Sequence, residues 1–146
     1  MTGDATEALV ERAAPGAVGA DVVSIRLPAA GAYLSILRTA TAGLAARLDF
    51  TLDEIEDLRI AVDEACAMLL AQAVPGAALE CEFELSRDMI RTAVSVLTLD
   101  GQPPARDTFA WTVLSALVGE VDSRVDADNR VIVNLQKRRG AGSALA

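Results

Sequence analysis

The sequence predicts an α+β fold, a two-layer sandwich with helices on one face of a mixed, mostly antiparallel sheet. Three observations predict it. Hydrophobic periodicity switches along the chain in the order strand, helix, helix, two strands, helix, two strands. The strand segments alternate apolar with polar residues, as in a sheet packed on one face and wet on the other. The helical segments carry one-sided apolar stripes that need a surface to cover.

Each element follows in order. VVSIRL (22–27) alternates as a strand. Pro28 then suits the first turn of a helix running to about Arg47, with Leu34, Leu37, Leu44 and Leu48 on one stripe. Thr51-Leu-Asp-Glu54 is a capping box, and Asp53, Glu54, Glu56 and Asp57 set negative charge at the positive end of the helix dipole. From there Ile55, Leu58, Val62, Ala65 and Leu69 recur at steps of three and four, so a second helix runs to about Ala73, ahead of Pro75-Gly76. ALECEFEL (78–85) and MIRTAVSVL (89–97) pair through a short link, with Leu79, Cys81, Phe83 and Leu85 inward and the glutamates between them outward. After the loop DGQPPARD (100–107), FAWTVLSALV (109–118) reads as a short helix facing inward through Val113, Leu114, Leu117 and Val118. VDSRV and RVIVNLQKR close the chain as a hairpin turning near Asp126–Asn129. Residues 1–20 read as a flexible tail, 21–139 as a single domain and 140–146 as a frayed end, with Arg138 and Arg139 a solvated chain end.

Composition narrows the function. A chain of 146 residues, over half of them apolar, is long enough for a core without metal or disulfide support. No apolar run reaches the length of a membrane span, and the acidic, alanine-rich start lacks a signal-peptide layout, so a cytoplasmic protein is expected. Thirteen basic and 21 acidic residues give a formal charge of −8, which disfavours nucleic acid and anionic membranes as direct partners and is compatible with a basic protein partner. With no histidine, a zinc site is implausible and Ser-His or Cys-His catalysis is excluded. Cys66 and Cys81 sit in apolar segments and read as buried reduced thiols, a redox pair being the weaker reading.

Within IAVDEACAMLLA (60–71), Asp63 and Glu64 are adjacent carboxylates in an apolar surround. Periodicity alone reads them as the wet side of a largely buried helix. The second half of that helix is apolar nearly all round, so either another element covers it or it borders a cleft.

LDEIEDLRIAVDEAC resembles the second-helix signature of the RsbW-type anti-sigma-factor kinases of the GHKL ATPase superfamily. LPAAGAYLSILRTATAGLAARLDFTLDE is similar to that family's strand-one exit and first helix, and FAWTVLSALVGEV with RVIVNLQK to its last helix and closing strand. The resemblance spans about 115 residues, 22 to 138, in the right order, and implies a Bergerat (GHKL-like) fold. In that family the second helix reads Ser-Glu-Ala, with an Asn four residues after the Glu. The Glu is a general base or water positioner for phosphoryl transfer and corresponds to Glu64. The Asn is a hard oxygen donor to magnesium, and its place is taken by Met68, a soft thioether and a poor magnesium ligand.

Further departures accompany that one. The family's Asp-x-Gly-x-Gly motif, which holds adenine, has only Asp100-Gly101-Gln102-Pro103-Pro104 as its counterpart. Thr108 and Ala110 stand where a Gly-x-Gly turn opens the last helix toward phosphates, and the connection from Gly101 to Phe109 is too short for an ATP lid. The resemblance therefore implies a vestigial pocket of Glu64, Met68, Asp100, Thr108 and Ala110, with no catalytic residue, no metal and no cofactor, and Phe109 and Trp111 helping to fill it. A lone aromatic there is equally ordinary core.

The resemblance also implies what is left to act. In the family the first strand and first helix form the surface for dimerisation and sigma-factor capture, and an arginine of that helix, corresponding to Arg38, makes charged contacts with the sigma factor. The bland reading of Arg38 is an exposed helix arginine lying over its neighbours. The expectation is a homodimeric anti-sigma factor, sequestering an alternative sigma factor and released by partner switching to a STAS-type anti-anti-sigma factor. The alternative is a Mg-ATP-dependent serine kinase acting on such a STAS protein. A scaffold for an unrelated assembly is the third reading.

Overall fold

The computed structural model describes residues 21–140. The chain runs β1 (Asp21–Pro28), one 3-10 turn (Gly31–Tyr33), α1 (Leu34–Arg47), α2 (Leu52–Leu70), β2 (Ala78–Leu85), β3 (Met89–Leu97), α3 (Phe109–Val118), β4 (Glu120–Val125) and β5 (Arg130–Arg138). The tail expected over 1–20 and the end from 141 lie outside the described residues. Gly140, expected to begin a frayed end, is tied down: its N–H donates to Glu54 Oε2 at 2.8 Å.

The five strands form one sheet in the order β1-β2-β3-β5-β4, and all four pairings are antiparallel, so the mostly antiparallel sheet expected contains no parallel pair. After β3 the chain crosses through α3, lays β4 along the far edge and returns through β5 beside β3. The turn between β4 and β5 falls at Asp126–Asn129 as expected, with Asn129 at φ 66.

All three helices cover one face. Leu79, Cys81, Phe83, Leu85, Ile90, Thr92, Val94, Val96, Val131, Val133 and Leu135 point inward and are buried. Glu80, Glu82, Arg91 and Arg138 point outward and are exposed. Across the core, α2 presents Leu58, Val62, Ala65 and Leu69, each at 0–1% exposure. Its middle position answers why it is apolar nearly all round: α1 flanks one side, α3 the other, and β3 and β5 lie beneath. Truncating Leu58 or Leu69 to Ala there costs about 2–5 kcal/mol, because the site cannot collapse into the space left.

The helix starts show where local chemistry dominates. Thr51 caps α2 with both halves of the box present: Glu54 N–H donates to Thr51 Oγ1 at 3.1 Å and Thr51 N–H to Glu54 Oε1 at 2.8 Å. Burial alone raises the pKa of the Glu54 carboxyl. The backbone N–H groups of Thr51 and Gly140, the Thr51 hydroxyl and the Lys137 charge outweigh it and hold that carboxyl below the usual glutamate value.

Several expectations need correction. Pro28 ends β1 instead of opening a helix, and α1 starts at Leu34 after the 3-10 turn. The buried stripe of α1 is Leu34, Leu37, Thr41 and Ala45, while the expected Leu44 and Leu48 are half-buried and pack against the same core. Thr41 serves on that stripe because its hydroxyl donates to Leu37 O at 2.7 Å, leaving only its methyl to pack. α2 stops at Leu70, since Ala73 already bridges to Thr98 beside the sheet. In α3 the buried residues are Trp111, Leu114 and Val118, with Val113 and Leu117 half-buried.

Candidate functional site

The capping box sets the phase of α2, and that phase decides where the two carboxylates point. Both Asp63 and Glu64 are half-buried, on the helix side away from the sheet. They have different surroundings. Asp63 Oδ1 accepts from Arg38 Nε at 2.9 Å, an ion pair that clasps α1 to α2 across 25 residues of sequence, each side chain 40% exposed. Arg38 is thus neither free nor merely draped over its own helix. Glu64 makes no hydrogen bond or ion pair among the described residues.

One turn further on, Met68 is half-buried and packs against the hydrophobic core. Asp100 is exposed, and its Oδ1 accepts from the N–H of Gln102 at 3.2 Å in a local turn. Gly101 beside it, at φ +63, lies against the β4–β5 hairpin, where an added Cβ would meet Asn129 Oδ1 at 2.5 Å. Its N–H donates to Thr98 Oγ1 at 2.9 Å, and that hydroxyl donates to Asn129 O at 2.7 Å. The glycine here serves a turn welded to the neighbouring hairpin.

Thr108 is the N-cap of α3, its Oγ1 accepting from Trp111 N–H at 3.2 Å and donating to Ala105 O at 3.2 Å. Ala110 is half-buried just inside the helix. Trp111 is buried, with the Arg106 guanidinium 5.1 Å from its ring centroid. Phe109, expected to help fill the pocket, is instead 84% exposed, because its position on α3 turns it away from the face that carries Trp111 and Leu114.

Both cysteines are buried and unpaired in a disulfide. Burial, reinforced by Asp63, pushes the Cys66 thiol up to about 12, and burial raises Cys81 as well. Neither is a nucleophile near neutral pH.

Clefts occur elsewhere. One of about 570 Å³ lies by the β4 edge, between Arg91, Gly119, Glu120, Asp122, Asn134 and Gln136. Another of about 380 Å³ lies on the open sheet face, between Arg26, Glu80, Glu82, Arg124 and Arg130. None of the sequence-predicted site residues lines either one. Among the described residues, no helix is long and apolar enough to cross a membrane.

No protein-family model matches the chain. The anti-sigma-F factor RsbW of Mycobacterium tuberculosis is 29% identical over 131 residues, 86% of this chain and 78% of that protein. The serine-protein kinase RsbW of Bacillus subtilis is 44% identical over 54 residues, 37% of this chain and 34% of that protein. The fold superposes on a crystal structure of the RsbU and RsbW domains of a Mycobacterium tuberculosis protein with a TM-score of 0.65, at 16% identity, over 82% of this chain and 32% of that one. The chain is similar to RsbW proteins in sequence and has the fold of an RsbW domain.

On this RsbW fold, two groups of residues stand apart. Glu64 and Met68 lie one helical turn apart on α2, while Asp100, Thr108 and Ala110 belong to the β3–α3 connection and the start of α3. Arg38 lies on the other flank, where α1 meets α2. Reasoning from sequence missed Asp63 as its partner. The available signal was a charged residue where the RsbW signature has serine, in the largely apolar second half of the helix. What the signal lacked was a helix-packing geometry to say which cation it meets.

Proposed function

We propose that this chain is an RsbW-type protein, a cytoplasmic, homodimeric anti-sigma factor that sequesters an alternative sigma factor by direct contact, without nucleotide turnover, and is released by a STAS-type anti-anti-sigma factor. The observation that carries the non-enzymatic reading is Met68, a thioether packed against the core where the family signature has the magnesium-ligating Asn. The rest of the donor set fits a magnesium triphosphate no better. Thr108 commits its hydroxyl to capping α3, Ala110 adds a Cβ where the family leaves bare backbone, and the Asp100-Gly101 turn is closed against Asn129.

What supports protein capture is the surface made by the edge strand β1 and the helix α1. Among the described residues β1 has a neighbour on one side only, and Tyr33 and Ile36 are exposed on the 3-10 turn and on α1. Arg38 adds a half-exposed cation where α1 meets α2. Exposed apolar residues and an arginine on one helix suit an interface with a protein that carries an acidic group opposite the arginine. The net charge of −8 suits masking of the basic, apolar surface by which a sigma factor grips core polymerase.

The test is pairwise calorimetric titration of the purified chain against each alternative sigma factor of its own organism. One should bind stoichiometrically, and Arg38→Glu should abolish that binding. No binding to any of them removes the proposal.

One observation favours the second reading, a serine kinase acting on a STAS protein: the Glu64 carboxylate is retained and unpaired among the described residues. Titration with Mg-ATP separates the two, since magnesium-dependent micromolar binding supports the kinase and contradicts the non-enzymatic reading.

A further inference from the structure

We infer that Asp63 is a built-in competitor for Arg38, a fixed carboxylate on one end of the guanidinium beside which a captured partner's carboxylate must bind at the other. The inference rests on the reading of Arg38 as the capture residue.

The geometry of the pair carries it. Arg38 Nε donates to Asp63 Oδ1 at 2.9 Å, from one helix to the next, and both side chains are 40% exposed, so an incoming protein can reach the pair. Only one of the five guanidinium donors is used; Nη1 and Nη2 make no hydrogen bond among the described residues. A second carboxylate can therefore approach the end of the guanidinium that Asp63 leaves open. It does so beside a fixed negative charge. Like charges a few ångströms apart repel, so the arginine's hold on a partner carboxylate is weaker than that of an unpaired arginine. When the partner leaves, Arg38 keeps Asp63 as an acceptor instead of being left to water alone. Both effects make capture easier to reverse, which suits release by a competing protein with no nucleotide-driven step.

Asp63→Asn isolates the charge. The amide oxygen still accepts from Nε, while the competing carboxylate is gone. The sigma factor found in the pairwise titration is immobilised, and the full chain is passed over it at physiological salt with wild-type, Asp63→Asn and Asp63→Ser proteins, each checked for fold by circular dichroism. Affinity should rise roughly two- to fivefold, the range of an exposed ion pair, through slower dissociation. Asp63→Ser tests the same charge with a shorter acceptor, should the Asn variant not fold.

Unchanged or weaker binding overturns the inference, because a residue that merely positions Arg38 or staples the helices loses affinity when neutralised. A gain confined to the association rate and erased by salt overturns it too, since that is bulk charge. If no sigma factor binds the unmodified chain, the reading of Arg38 falls first, and this inference falls with it. A failure confined to the Asp63 variants leaves that reading standing.

Discussion

Thr92 sits midway along β3 on the inner face, with Phe83 opposite it on β2 and Leu135 opposite it on β5. All three are at 0% exposure. Its hydroxyl is the one buried side-chain N or O atom among the described residues with no hydrogen-bond partner. A Thr-to-Val exchange ordinarily costs stability because it removes a satisfied hydroxyl. Here the hydroxyl is desolvated without compensation, a penalty of about 1–3 kcal/mol in protein mutational series. Thr92→Val keeps the branched shape and the strand preference and deletes only the orphan polar atom. A net gain of about 1 kcal/mol is expected, at the lower end because packing around the new methyl is not ideal. For a domain of this size that gain raises the thermal midpoint by roughly 3–5 °C. Urea denaturation followed by the fluorescence of Trp111, the single tryptophan and itself buried, reads the change directly. The midpoint should rise with an unaltered slope. A fall in midpoint would refute the reasoning, because it would mean that the hydroxyl has an acceptor in solution and contributes to the native state.

Other outcomes follow from the same structure. Thr51→Ala breaks the capping box of α2 and should cost about 1 kcal/mol in the same urea assay. The Glu54 carboxyl is held below its ordinary value, so its contribution is fully present above the unfolded-state pKa and lost as pH falls through the lowered folded value. Stability of the wild type should therefore drop in that acidic window while Glu54→Gln, already weaker at neutral pH, loses less. Cys66 and Cys81 are buried with raised pKa values, Cys66 to about 12, so a thiol reagent at neutral pH should label neither in the native state and both in urea. Rapid native labelling would contradict their burial. Gly101→Ala meets both a left-handed φ of +63 and the Asn129 side chain at 2.5 Å, and should destabilise by about 1–2 kcal/mol, read as a lower urea midpoint.

The strongest parts of the sequence reading rest on chemistry confined to a few residues. The capping box at Thr51 and Glu54, the stripe from Leu58 to Leu69, the glutamate alternation of β2, the bounds of α3 and the last turn are all visible within one or two helical turns or one strand. Each is a short-range pattern whose partner is the backbone or a generic apolar surface. The misreadings share the opposite property. Pro28 is compatible with a helix start and a strand end alike, and only the pairing of β1 with β2 through Pro28↔Ala78 decides between them. Thr41 and Ala45 join the buried stripe of α1 although neither stands out as an apolar anchor in sequence, Thr41 because its hydroxyl is absorbed by Leu37 O. Phe109 looked like pocket filling, but α3 packs through Trp111 and Leu114 and leaves it in solvent.

What the sequence alone determined is the order and type of the elements, the sidedness of sheet and helices, and the capping chemistry that starts α2. Tertiary structure alone decided that β5 lies between β3 and β4, that Gly101 backs onto Asn129, and that Arg38 meets Asp63. The physical reason is range. Capping and periodicity act through neighbours a few residues apart, whereas a charge on α1 finds its partner only after two amphipathic helices have settled on one sheet at a particular rotation.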